Sequence, residues 1–127
     1  EKNNLYFSCP SGAPMVQHAL PMMLQHYVNN KISLEAIVDK MCHAPAICFN
    51  IEKRGYIKEG YYADLVVIKK QEWEVKKENI LYACKWSPLE QKKLDFKIYH
   101  TFVNGNLVYN NGVINNIKNG KILSFNN

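Results

Sequence analysis

The chain has 127 residues, of which 47% are hydrophobic and 12% aromatic, and this composition excludes an intrinsically disordered protein. The formal net charge of +5 comes from lysines scattered singly or in short pairs, so we expect solvated edges and turns and no nucleic-acid partner. No apolar run approaches the roughly 20 residues needed to span a bilayer. No secretory signal is visible, and we expect a cytoplasmic protein without a membrane partner.

The first helical pattern begins at Pro14, after an irregular lead-in over residues 1–13. Apolar residues recur there at helical spacing and predict one buried face, made of Val16, Leu20, Met23, Leu24 and Tyr27. Pro21 lies within this face and is expected to kink or split the helix. Asn29-Asn30 is expected to end it.

Two further helices are predicted before residue 50. Ser33 is a favourable N-cap for the second helix. Its predicted buried face consists of Leu34, Ile37, Val38 and Met41. After a short connection at His43-Ala44, Pro45 suits the first position of a third helix, which carries Ile47, Cys48 and Phe49.

After about residue 50 the helical period disappears and turn residues multiply, so we predict a helical part at 1–50 and a β-rich part at 51–127. The predicted strands are 65–68, 73–75, 97–103, 106–109, 113–114 and 122–125. Asn104-Gly105 between two apolar runs predicts a hairpin with positive φ at both residues. Asn111-Gly112 and Asn119-Gly120 are expected to repeat this turn.

Two glycines five residues apart, Gly55 and Gly60, precede Ala63-Asp64 and the strand at 65–68. We interpret the segment as two turns and a short buried strand. Asp64 is expected to stabilise a turn through its side chain instead of acting as a general base.

The thiols and imidazoles suggest no metal site or nucleophile. The cysteines, Cys9, Cys42, Cys48 and Cys84, form no Cys-x-x-Cys pair and are expected to be reduced. The histidines, His18, His26, His43 and His100, lack the spacing of a zinc site and are expected to be structural. We therefore predict no metal ligand and no catalytic residue in this chain.

Ser11-Gly12 is the one loop with a candidate binding role. A glycine just before a helix N-terminus leaves backbone N–H groups open to a negatively charged ligand. The alternative interpretation is an ordinary start of a helix.

Six separated segments together resemble the C-terminal part of bacterial dihydroorotases, in the amidohydrolase superfamily. They are 11–21, 40–46, 55–68, 78–82, 86–90 and 100–109, and their order and approximate spacing agree from about Cys9 onward. Segment 55–68 and Val103-Asn104-Gly105 are common to many amidohydrolases, whereas Trp86-Ser87-Pro88-Leu89-Glu90 looks more like dihydroorotase. Gln91 departs from the family, which often has glycine there.

The resemblance implies an α+β fragment, with the terminal helices of a (β/α)₈ barrel followed by the C-terminal strands of a composite β-sandwich. It implies zinc in the parent enzyme, with the zinc ligands and the catalytic aspartate upstream of this chain, which alone is expected to bind no metal and to be inactive. Ser11 and Gly12 match a loop that contacts the substrate, dihydroorotate or carbamoyl aspartate, through backbone groups. Because the chain begins at Glu1 without methionine, we interpret it as part of a longer protein.

Two alternatives remain open. The parent enzyme is a hydantoinase or allantoinase, or the chain is a catalytically empty domain that serves structure or assembly. In either case the apolar helix faces lack the barrel that would cover them. The expected partner is therefore the missing barrel segment or a second copy of the chain.

Overall fold

The computed structural model describes Phe7 and residues 11–125, so Cys9 lies outside the described residues. Short helices come first and an antiparallel sheet follows, which confirms the α+β class. The elements are α1 (Ala19–Val28), α2 (Leu34–Val38), α3 (Ala44–Cys48), β1 (Leu65–Glu74), β2 (Lys93–Val103), β3 (Asn106–Asn110) and β4 (Val113–Ile114). No helix in this described part is long and apolar enough to cross a membrane.

Helix α1 begins at Ala19, five residues later than predicted, because Pro21 must lie in the first turn. A proline ring collides with the carbonyl four residues earlier in a helix, so the helix does not extend back through Gln17. Pro21 therefore causes no break, and the prediction of a kink is wrong. Val16 falls outside the helix and is 93% exposed, whereas Leu24 is 1% exposed.

Helices α2 and α3 form one continuous rod, and the predicted break at His43-Ala44 is wrong. A π-helical turn at Asp39–His43 joins them, in which the Ala44 N–H donates to the Asp39 carbonyl five residues earlier. In a regular α-helix Pro45 could donate no N–H to the Met41 carbonyl, and its ring would collide with that carbonyl. The wider π-helical turn avoids this collision. The Ser33 cap is confirmed, since its hydroxyl accepts from the Ala36 N–H at 3.2 Å.

The four strands lie in the order β1-β2-β3-β4, each antiparallel to its neighbour. One strand, β1, replaces the two predicted at 65–68 and 73–75, because two irregularities in its pairing with β2 let it continue. The expectation that 65–68 is buried is wrong. Val66, Val67 and Ile68 are about two-fifths to one-half exposed, because β1 is an edge strand with both faces incompletely covered by the described residues.

Two of the three predicted asparagine–glycine turns are confirmed. Asn104-Gly105 joins β2 to β3 and Asn111-Gly112 joins β3 to β4, all four residues with positive φ. Asn119-Gly120 does not form such a turn, since its φ angles are not positive and the Asn119 carbonyl instead accepts from the Asn104 side-chain amide. The strand predicted at 122–125 is also wrong, because only an isolated bridge between Ile51 and Phe125 forms there.

A small core lies beneath the β-rich part. Val75, Ile80 and Leu94 are almost fully buried and pack with Trp73 and Tyr82. Helix α1 packs against β2, so the predicted helical and β-rich parts are in direct contact.

Candidate functional site

Ser11 and Gly12 lie on an exposed loop that precedes α1. Gly12 has φ +84°, and no described atom lies within 4 Å of a Cβ placed on it. The helix starts only at Ala19, so these two residues do not lie at its N-terminus. The expectation that helix N–H groups attract an anion at Ser11-Gly12 is therefore wrong, because Pro21 prevents α1 from starting before Ala19.

Next to this loop is an open groove of about 930 Å³ between residues 13–21 and one face of the sheet. Strand register places four of its lining residues in a row across that face, Val66, Thr101, Tyr109 and Ile114. Sequence reasoning missed the groove, because the row depends on the register of four strands separated in the chain.

Gln17 connects the segment after Gly12 to the β-rich part. Its side-chain amide donates to the Asn79 carbonyl at 2.8 Å and accepts from the Leu81 N–H at 2.9 Å. Its backbone N–H donates to the Tyr82 phenol oxygen at 2.9 Å. These three bonds cross 62 to 65 residues of sequence and fix the approach to α1 against the core.

His18, the next residue, is fully buried. Its Nδ1 lies 3.0 Å from the Ser87 hydroxyl oxygen, and its ring packs near Trp73 and edge-on to Tyr82. Burial lowers the pKa of His18 below its ordinary value, because desolvation disfavours the charged imidazolium. Through these contacts His18 joins the start of α1 to the β-rich part, while its Nε2 is buried without a hydrogen-bond partner among the described residues.

The glycine-rich segment is fixed by a polar cluster. Asp64 forms an ion pair with Arg54 and accepts from the Asn104 N–H at 2.8 Å. Arg54 also donates to the Asn104 side-chain oxygen at 2.8 Å, and its guanidinium lies 4.4 Å from the centre of the Tyr62 ring. The turn-stabilising role of Asp64 is confirmed, while the contribution of Arg54 was not foreseen.

Replacing Asp64 with alanine is expected to lower the free energy of unfolding by about 2 kcal/mol, because the largely buried Arg54 and the Asn104 N–H both lose a charged acceptor. The matched control is Glu72→Ala, which removes the carboxylate of the exposed Lys93–Glu72 pair and should cost less than about 0.5 kcal/mol. Urea unfolding of both variants gives the free energies, and equal losses would contradict a specific role of Asp64.

The described residues do not provide a zinc site. Among Phe7 and residues 11–125, no three histidine, cysteine, aspartate or glutamate side chains come together in a way that holds a metal ion. Cys42, Cys48 and Cys84 are free thiols, and His43 stacks on Tyr56 with 4.2 Å between ring centres.

Comparison with known proteins decides the family. The sequence pattern of the amidohydrolase family matches residues 8–108. The chain belongs to the amidohydrolase family. Among its relatives, the dihydroorotase of Endomicrobium trichonymphae is 37% identical over 111 residues, and that of Sulfurihydrogenibium sp. is 37% identical over 110 residues. Each alignment covers 86% of this chain and 26% of the relative.

Solved structures give the same family relationship. This amidohydrolase chain superposes on the L-hydantoinase (dihydropyrimidinase) of Arthrobacter aurescens with a TM-score of 0.75 and 29% identity, covering 85% of this chain and 25% of that one. A D-hydantoinase gives a TM-score of 0.78 and 26% identity, covering 83% and 23%. The amidohydrolase chain therefore spans about a quarter of the length of the proteins that it matches.

Proposed function

We propose that the chain is the C-terminal part of a dihydroorotase, a cytoplasmic enzyme of pyrimidine biosynthesis that interconverts dihydroorotate and carbamoyl aspartate. The identity of 37% to two dihydroorotases, over most of this chain, carries the proposal. In this arrangement α1 to α3 are the last helices of a (β/α)₈ barrel, and the sheet is one share of a composite β-sandwich. The open groove and the incompletely covered β1 support the presence of further packed elements.

Ser11 and Gly12 are the proposed substrate contacts. Both are exposed, and the left-handed conformation of Gly12 turns the backbone without a side chain in the way. A carboxylate of dihydroorotate is a suitable acceptor for backbone N–H groups at this turn. The contact forms only when the rest of the enzyme holds the substrate against the loop.

Zinc and the catalytic carboxylate belong, in this proposal, to the part of the enzyme outside this chain. The described residues offer no cluster of metal ligands, so no chemical step is assigned to them. The chain contributes the substrate loop and the surfaces that support it.

Alone, the 127-residue chain is expected to bind no zinc tightly, to turn over no dihydroorotate and to self-associate. Leu24 and Ile37 of the helix faces are covered, but apolar side chains such as Val16, Ile47 and Phe49 are largely exposed, and exposed apolar surface promotes association. Metal analysis, a ring-opening assay and analytical ultracentrifugation test these three points. Stoichiometric zinc, measurable turnover or a stable monomer would each contradict the corresponding claim.

The complete reading frame that contains the chain discriminates the alternatives. Its product should open dihydroorotate and leave hydantoin, dihydrouracil and allantoin intact. The hydantoinase structures, with TM-scores of 0.75 and 0.78, make a hydantoinase the second candidate, and preferential turnover of hydantoin would favour it. A reading frame without a barrel would favour the third candidate, a catalytically empty assembly domain, whose partner is a separate barrel polypeptide or a second copy.

A further inference from the structure

The loop that carries Ser11 and Gly12 needs support from outside itself. It is not part of α1, which begins seven residues after Gly12. Ser11, Gly12 and Val16 are exposed, and the segment between Gly12 and Gln17 buries only Pro14 and Met15 in part. Each residue held in one conformation costs about 1–2 kcal/mol of entropy, so a loop that orients a substrate must be fixed through neighbouring contacts.

Gln17 supplies such a contact five residues after Gly12. Its side-chain amide donates to the Asn79 carbonyl and accepts from the Leu81 N–H, which is the pattern that the backbone of a neighbouring strand would make. Between these two residues lies Ile80, which is 3% exposed and belongs to the core. The amide of Gln17 is therefore bonded to backbone on both sides of a buried core residue.

A second attachment follows directly in sequence. The imidazole of His18 bonds to the Ser87 hydroxyl, which in turn accepts from the Leu89 N–H at 3.2 Å. The Ser87 N–H donates to the Glu90 carboxylate at 3.2 Å. Two consecutive residues, 17 and 18, are thus fixed to the segment 79–90, five and six residues after Gly12.

We propose that Gln17 is a positioning residue, which holds the Ser11-Gly12 loop in the orientation that binds the substrate. The proposal rests on the substrate role proposed above for these two residues. Gln17 does not contact the substrate itself, since its amide is already paired with Asn79 and Leu81.

The chain offers a matched control on α1. The side chain of Gln25 also makes a pair of bonds, donating to the Asp95 carboxylate at 2.8 Å and accepting from the Asp95 N–H at 3.0 Å. The change from glutamine to methionine removes two side-chain hydrogen bonds at either position and nearly preserves volume. Only Gln17→Met removes them beside the loop.

The first measurement is ¹⁵N relaxation of the longer enzyme labelled at glycine, which reports the order of the Gly12 amide without any assay of activity. In Gln17→Met the order parameter of this amide should fall from about 0.8 to below about 0.6, while Gln25→Met should leave it unchanged. Tyr82→Phe deletes the acceptor of the Gln17 N–H and should lower the order parameter in the same direction, even if Gln17→Met does not fold. An unchanged order parameter of the Gly12 amide in Gln17→Met overturns the proposal. If Gln17→Met does not fold, the same result in Tyr82→Phe overturns it. An equal fall of this order parameter in Gln25→Met also overturns it.

The second measurement is steady-state kinetics of the longer enzyme. Loss of a contact used equally in the bound substrate and the transition state raises KM and leaves kcat unchanged. We expect Gln17→Met to raise KM for dihydroorotate about tenfold with kcat within about twofold, and Gln25→Met to change neither beyond about twofold. A fall in kcat at constant KM overturns the positioning role. If the longer enzyme does not act on dihydroorotate at all, the proposed function fails, and the relaxation data still decide whether Gln17 orders the loop.

Discussion

Gly55→Ala is expected to destabilise the chain by about 3 kcal/mol or more, as the sum of backbone strain and overpacking. The residue has φ +80°, which costs an L-amino acid about 1–2 kcal/mol. A Cβ added there would lie 2.6 Å from the Ala46 Cβ and 2.7 Å from the Cys42 carbonyl oxygen. Both atoms belong to the helical rod and cannot give way as a flexible side chain would, so the turn would separate from α3.

Gly60→Ala is the matched control for this prediction. Gly60 has the same φ of +80°, but no described atom lies within 4 Å of a Cβ placed on it. Only the backbone strain remains, and we expect a loss of about 1–2 kcal/mol. Urea unfolding of the two variants separates the strain from the collision. Similar losses for both would show that the close approach of Gly55 to Cys42 and Ala46 is not important.

This pair of glycines shows how far the sequence predicts the fold. The pattern of Gly55 and Gly60 correctly indicates two turns, because only glycine adopts positive φ without cost. The contact of Gly55 with the helices depends on the path of the rod, which follows from the π-helical turn at Asp39–His43. Helical periodicity carries no signal for that turn, so the contact was not predictable from the sequence.

The start of α1 shows a related limit. Periodicity extended the helix back to Pro14, whereas the local chemistry of Pro21 limits it to Ala19. That chemistry is present in the sequence, because Pro21 cannot follow Gln17 by four residues within one helix, and it places Ser11 and Gly12 on a separate loop. At Gln91, where the family resemblance leads us to expect glycine, φ is +65°, a conformation that glycine adopts without strain.

The candidate site was only partly predictable. Ser11 and Gly12 were indicated by a serine–glycine loop before a helical pattern and by the family resemblance, and their substrate role stays a proposal. The bonds of Gln17 span 62 to 65 residues, and a single glutamine among apolar neighbours carries no signal of its partners. Contacts of this kind depend on tertiary packing.

The stability of the chain is expected to fall as the pH decreases below about 6.5, and His18 should account for part of this fall. Burial lowers its folded-state pKa below the ordinary value of 6.5. As the pH falls through 6.5, the unfolded chain takes up a proton at this imidazole before the folded chain does. Stability is therefore lost on the acid side, by up to about 1.4 kcal/mol per pH unit for this one group, until the folded-state pKa is reached.

His18→Gln tests this assignment, because an amide cannot titrate and retains groups that can bond to the Ser87 hydroxyl. Urea unfolding between pH 7 and pH 5 gives the free energy of unfolding as a function of pH. Its slope should be shallower for His18→Gln than for the parent, by a difference equivalent to the uptake of up to about one proton on unfolding. The contact of His18 with Ser87 joins α1 to the β-rich part, so its loss should also accelerate hydrogen exchange of the α1 amides below pH 6.5. An unchanged slope in His18→Gln would place the acid sensitivity elsewhere in the chain.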